Sequence, residues 1–326
     1  MQNLPLAKLA VLITACIFHA PPALAQAYPA KPVRIVTSGV GGSNDVVARV
    51  IALGLTGSLG QSVMVDNRGG PSGTVVAGQI VATAPPDGHT LLSFASSFWL
   101  LPYLQADAPF DPIRDFSPIT LAITAPSILV VHPSLPVHSV RQLVALAKSQ
   151  PGKLNYASTA TGSPNHLSAE LFKSMTGVNI VRVPYKGASQ SLNDLINGRI
   201  ELAFPSATTV APHMSTGRLR GLAVTSAQPS VYFPKLPTIA AAGIPDYDSV
   251  LMIGMFAPAQ TPGAIINRLN SETVKVLHRP EVKERLATLG VEVAGSSPQA
   301  FAVTIKAEMA RMSKVIREAG IRGDGT

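Results

Sequence analysis

Short apolar runs alternate with amphipathic stretches along most of the chain. Val33-Arg34-Ile35-Val36 predicts a buried strand, and Val46, Val47, Val50, Ile51 and Leu55 then share one face of a helix over 45–55. A second strand over 63–65, a helix over 74–84 stopped by Pro85-Pro86 and a strand over 90–94 follow. Apolar runs at 119–124 and 128–131 are separated by Pro126, and then the pattern restarts. Helices are expected from the capping box Ser139/Gln142 to Lys148, from Pro164 to Met175 with Gly177 beyond, and over 190–197. Strands are expected at 154–158, 180–184, 200–204, 219–225 and 250–256. A Pro-rich passage covers 229–245. Helices at 262–277 behind Thr261, at 280–289 and at 298–319 behind Ser297 close the chain.

Repeated β–α–β units with short Gly-rich turns imply mostly parallel sheets with flanking helices. The expected fold class is α/β, with one set of units nested inside the other: a two-lobed fold with two crossings, near 120–127 and 225–250. Lobe 1 is expected to take 26–122 plus 226–326, and lobe 2 to take 123–225. A cleft between lobes is a favoured ligand site.

The N-terminus changes where this fold should reside. Lys8 precedes a nearly continuous apolar run over 9–18, and Ala23-Leu24-Ala25 is an A-x-A site. That is an export signal over 1–25, too short to span a bilayer. A second reading takes Ile13-Thr14-Ala15-Cys16 as a lipoprotein box with a lipid on Cys16. Cleavage after Ala25 leaves 326 − 25 = 301 residues and a net charge of 8 − 1 = +7, and removes Cys16, the one cysteine. The expected destination is the periplasm. Of the 26 Lys and Arg no two are adjacent, so the positive charge is dispersed, unlike the clusters of a nucleic-acid binder. A positive mean potential does favour small anions.

Two loops carry candidate chemistry. Gly39-Val40-Gly41-Gly42-Ser43-Asn44-Asp45 follows the first strand and opens a helix, with Ser43 as candidate N-cap. Unpaired backbone N–H groups and the positive end of the dipole suit a carboxylate there. An ordinary capped turn is the competing reading. A dinucleotide fingerprint fails, because its third glycine would fall on Asn44. The second loop, Ser158-Thr159-Ala160-Thr161-Gly162-Ser163-Pro164-Asn165-His166, has Ser163 as N-cap and Pro164 at N1. In the nested architecture both loops end the first strand of their lobe, where open α/β sheets place ligands. His166 either donates to a ligand or serves a loop carbonyl. No H-x-x-x-H, H-E-x-x-H, G-x-S-x-G or P-loop pattern occurs, and the mature chain has no thiol, so neither catalysis, a cofactor nor a metal is expected.

The sequence resembles the Bug family, periplasmic solute-binding receptors of tripartite tricarboxylate transporters, from about Tyr28 to Ile321. The words that carry this include Tyr28-Pro29-x-Lys31-Pro32-Val33-Arg34-Ile35-Val36, Gly41-Gly42-x-x-Asp45-x-x-Ala48-Arg49 and Val65-Asp66-Asn67-Arg68. Pro86-Asp87-Gly88-His89-Thr90-Leu91-Leu92, Pro151-Gly152-Lys153-Leu154-Asn155-Tyr156-Ala157-Ser158 and Val183-Pro184-Tyr185-Lys186-Gly187 extend it. The resemblance implies a fold like type II periplasmic binding proteins, hinge closure on a small carboxylate, and delivery to membrane permease subunits by a monomeric receptor. It implies a ligand site from Val40, Gly41, Gly42, Ser43, Asn44, Asp45, Ser96 and Ser97 on one side, and Ser158, Thr159, Thr161, Gly162, Ser163, His166, Tyr185 and Ser206 on the other. Many members carry Asp where this chain has Pro205-Ser206, and its absence argues against an amino-acid ligand. Phe98 and Trp99 either flank an aromatic acid or pack into the lobe. Rival readings are a sensor that delivers the same ligand to a signalling partner, and an exported hydrolase.

Overall fold

A computed structural model describes residues 28–69, 73–105, 107–159, 161–185, 187–288 and 290–322. The expected signal and Cys16 lie outside them. The chain opens β1 (Val33–Ser38), α1 (Ser43–Leu59), β2 (Val63–Arg68), α2 (Gly73–Ala82), β3 (Thr90–Ala95), α3 (Leu101–Leu104) and β4 (Phe116–Pro126). It continues β5 (Ile128–Val131), α4 (Val140–Ser149), β6 (Asn155–Ser158), α5 (Pro164–Thr176), β7 (Val181–Pro184), α6 (Ala188–Ile196), β8 (Leu202–Ala203), α7 (Ala207–Ser215) and β9 (Arg220–Val224). It closes with β10 (Val250–Pro258), α8 (Gly263–Leu277), α9 (Pro280–Ala287), β11 (Glu292–Val293) and α10 (Pro298–Glu318).

The strands form two sheets. One has the order β11-β4-β10-β3-β1-β2, the other β7-β6-β8-β5-β9. The first has a parallel set and two reversed strands, β10 antiparallel to β3 and β4 and β11 antiparallel to β4; the second has one, β5, antiparallel to β8 and β9. β4 stays paired with β10 as far as Pro126, so the first sheet extends past the expected boundary at 122.

Where the chain passes between sheets, a buried hydroxyl ties the two crossings together. The Ser127 N–H donates to Thr225 Oγ1 at 2.8 Å, the Thr225 N–H donates to Ser127 O at 3.0 Å, and the Ser249 N–H donates to Thr225 O at 2.9 Å. Thr225 is fully buried, so these backbone groups have no water to turn to and the bonds hold the crossings side by side.

Alternating positions on β1 bury Val33 and Ile35 against Val47, Ile51 and Leu55 of α1. The opposite face of the first sheet packs an aromatic cluster, in which Phe98 stacks on Phe110 at 5.3 Å and Trp99 meets Phe301 edge-on at 5.8 Å. Both Phe98 and Trp99 are fully buried, so they pack into the lobe and do not reach a ligand. Each contributes roughly 1.5–3 kcal/mol by burial.

Candidate functional site

The N-termini of α1, α5, α6 and α7 open into one cavity of about 360 Å³ between the two sheets. That volume suits a small molecule. No charged side chain among the described residues lines it. The polar lining consists of hydroxyls and amides, among them Ser43, Asn44 and Ser97 on one side and Thr159, Asn165 and Ser206 on the other. The carbonyls of Gly42, Ser163, Gly187 and Ser206 accept from N–H groups in the first turn of each helix. In α5 Pro164 has no N–H and the His166 N–H donates to Asn165 Oδ1 at 3.0 Å, so that helix start offers fewer donors than α1.

The two predicted loops are built on one plan. Gly41 has φ +86 and Gly162 has φ +74, a left-handed turn that glycine adopts without strain. In each loop the glycine N–H donates to a side chain four residues on, at helix position N3: Gly41 to Asp45 Oδ2 at 2.9 Å, Gly162 to His166 Nδ1 at 3.1 Å. In each loop position N2 is an asparagine, Asn44 or Asn165, and both line the cavity. α1 is capped by Gly42, not by Ser43 as expected, because Gly42 O accepts the first helical bond from Val46 at 3.0 Å. Ser163 does occupy the N-cap of α5, but its hydroxyl donates to Asn165 Oδ1 at 2.5 Å instead of capping.

The groups behind the loops differ in charge. Asp45 is buried and also accepts from Asn67 Nδ2 at 2.8 Å and Arg49 Nε at 2.9 Å. Burial alone would raise its carboxyl, but the bonds from Arg49, Gly41 and Asn67 outweigh burial and hold it below the usual carboxylate range. Behind the second loop stands Arg182 of β7. It donates to Ser158 Oγ at 2.7 Å, Thr161 Oγ1 at 3.2 Å and Thr159 O at 2.9 Å. His166 is buried, and burial with the nearby Arg182 charge pushes it down to about 4. It is neutral at ordinary pH, its Nδ1 accepts from the Gly162 N–H, and it does not line the cavity.

Of the predicted site residues, Gly42, Ser43, Asn44, Ser97, Thr159 and Ser206 line the cavity. Val40, 77% open to solvent, and the exposed Gly41 belong to the loop without lining the cavity, and Asp45 is buried behind it. Ser96 is buried and its N–H donates to Met252 O at 3.1 Å. Ser158, Thr161, Gly162, Ser163 and His166 shape the second loop without lining the cavity. Tyr185 donates its hydroxyl to Asp194 Oδ2 at 2.9 Å; burial and that carboxylate push it up to about 12. Sequence reasoning missed Asn165, Arg182 and the face of α6 formed by Ala188, Ser191, Leu192 and Leu195. The α6 face follows an i, i+3, i+4, i+7 spacing that was readable, but nothing said it would face a cavity. Setting Gly41-x-x-Asn44 beside Gly162-x-x-Asn165 would have found Asn165.

This geometry is that of a two-lobed protein with a small-molecule cleft lined by helix N-termini. The model of the tripartite tricarboxylate transporter family receptor (TctC) matches residues 47–321, and the chain belongs to that family of solute-binding receptors. The family's receptors are extracytoplasmic, and no helix of the described residues is long and apolar enough to cross a membrane. The chain is 36% identical to Protein BugT of Bordetella pertussis over 306 residues, covering 93% of this chain and 94% of that one. R. palustris Rpa4515 with adipate is 38% identical with a TM-score of 0.76, covering 90% of this chain and 99% of that chain. MatC from Rhodopseudomonas palustris with bound malate is 27% identical with a TM-score of 0.73, covering 89% and 100%.

Proposed function

We propose that the protein is a monomeric periplasmic receptor, exported by a cleaved signal. It closes its two lobes on a small organic carboxylate and delivers it to the membrane permease subunits of a tripartite tricarboxylate transporter. The lobes follow the two sheets, with the first crossing after Pro126 and the second after Val224. The observation that carries this is the cleft itself: four helix N-termini around a cavity that no charged side chain of the described residues lines. Neutral donors hold an anion by direction, and they release it without a buried ion pair to break. No acid lines the cavity to meet an ammonium group, which disfavours amino acids. Leu192, Leu195, Phe204 and Leu251 add an apolar wall that suits a hydrocarbon body. A dicarboxylate with an apolar spacer, as in the adipate of the R. palustris protein, satisfies both parts. No catalytic step is assigned.

A thermal-shift screen tests this reading. The mature protein, unfolded, dialysed and refolded to strip carried-over ligand, is screened with adipate, succinate, malate, citrate, glutamate and benzoate. A ligand at 100 times its Kd stabilises by roughly 2.7 kcal/mol, readily seen as a shift in Tm. Stabilisation by adipate above glutamate, with the acid recovered unchanged, supports the reading. No stabilisation by any acid sinks it.

A further inference from the structure

Away from the cleft, a groove of about 470 Å³ runs between α4, the last turn of α5 and the connector from β9 to β10 at 242–245. That volume lies within the range of small-molecule sites. Along α4 the groove takes one helix face, with Arg141 at one end, Val144 in the middle and Lys148 two turns on, about 10 Å along the axis. Val140 and Ile244, both buried, and Met175 complete an apolar trough. Its walls are held in place. The Tyr247 hydroxyl donates to Ser168 O at 2.8 Å, and the Ser168 and Ser249 hydroxyls meet at 2.8 Å, which ties the connector to α5. The groove has cations and no counter-charge. No acidic side chain among the described residues lines it, and the side chains of Arg141 and Lys148 make no hydrogen bond or ion pair among those residues. Gly243 makes room for the first of them. At its φ of +116 a Cβ would lie 2.9 Å from Arg141 Nε and 3.4 Å from Arg141 Cγ, so the arginine stem crosses the connector where a side chain would otherwise stand.

We propose that this groove is a second ligand site, for a medium-chain fatty acid whose hydrocarbon chain lies on Val144, Ile244 and Met175 and whose carboxylate is taken by Arg141. The trough supplies apolar surface for the chain, and a guanidinium without a partner matches both carboxylate oxygens. Lys148 adds attraction through its charge. The site is independent of the cleft. Asn165 in the cleft and Met175 in the groove stand near opposite ends of α5, about 15 Å apart along its axis. All the walls belong to the second lobe and the connector tied to it, so lobe closure leaves the groove unchanged.

The test is titration calorimetry of the refolded mature protein with decanoate, kept below the concentration at which it forms micelles. Decanoate should bind the wild type, and decanol, the same chain without the charge, should bind at least about tenfold more weakly. Arg141→Gln keeps the stem across Gly243 and removes the charge; it should weaken decanoate about tenfold, and Arg141→Gln/Lys148→Gln should weaken it further. Both variants lose no bond among the described residues, so Tm of the free protein should stay unchanged. Gly42→Val, which alters the cleft alone, should keep the decanoate affinity of the wild type. Absence of decanoate binding, including a protein that binds only phosphatidylglycerol vesicles, overturns the second site. So does an unchanged affinity in the double variant, equal binding of decanol, or decanoate binding that disappears in Gly42→Val, which would place the chain in the cleft. If no acid of the screen binds the cleft while decanoate still depends on Arg141, the cleft reading fails and the groove stands.

Discussion

The glycine loops before α1 and α5 share a backbone plan and differ in what stands behind it. The first is pinned by a buried carboxylate, Asp45, whose charge Arg49 offsets at 2.9 Å. The second is pinned by a neutral imidazole, His166, and wrapped around a guanidinium, Arg182. The cleft therefore has a compensated acid behind one loop and a cation behind the other. Neither charge lines the cavity. The difference teaches that backbone N–H groups can be aimed by either sign of charge, while the field at the ligand and its response to pH depend on which sign is used.

The same substitution placed in each loop sharpens the contrast most. Gly162 sits at φ +74, and a Cβ there would lie 2.8 Å from Leu104 Cδ1. Gly162→Val should lose both binding and about 3 kcal/mol of stability, from backbone strain and the clash. Gly42 has φ −81, and the nearest atom to a new Cβ is 3.9 Å away. Gly42→Val should keep its Tm within a degree or two and still block the cavity, a loss of about a hundredfold or more in calorimetric affinity. Wild-type affinity in Gly42→Val would remove the first loop from the site.

A smaller effect separates the loops by pH. His166 ionises at about 4 in the native state against about 6.5 in an unfolded chain. Between those values the unfolded chain binds a proton that the native chain does not. Stability therefore falls as pH drops from about 6.5 to about 4, by at most about 3 kcal/mol, and this contribution then levels off. Protonation turns Nδ1 into a donor facing the Gly162 N–H, so ligand affinity should fall near pH 4. Asp45, held below the usual range, gives its stability above the unfolded carboxyl value and loses it only at lower pH still. His166→Gln, which keeps an acceptor for the glycine N–H, should flatten the change between pH 6.5 and 4 in chemical denaturation series. An unchanged profile would show that His166 is not the group responsible.

The smallest effect is expected at Tyr185. Its hydroxyl binds Asp194 and the ring does not line the cavity. Tyr185→Phe should leave affinity within twofold; a tenfold loss would bring that side chain back into the site.

Strong local signals matched the structure closely. The caps at Ser139 and Ser297 accept the expected N–H groups, from Gln142 at 3.2 Å and Ala300 at 3.1 Å. Thr261 does not cap α8; its hydroxyl donates to Pro258 O at 2.8 Å, and the N-cap is Pro262. The short elements α3, α7 and β11 went unread. α7 carries Pro212 in its interior, and β11 has two residues, so neither has a pattern long enough to declare itself. Their stability comes from what they pack against.

The sequence by itself determined the alternation of strands and helices, the two glycine loops and their places at strand ends. These follow from side-chain period and backbone freedom, which are local. Only the tertiary structure decided which loop residues face the cleft and which stand behind it. Burial turned Asp45 and His166 inward, β7 brought Arg182 beneath a loop 21 residues away from Thr161, and α6 turned an ordinary amphipathic face into a cavity wall. Those assignments rest on contacts between segments distant in the chain, and no residue's immediate neighbours carry that information.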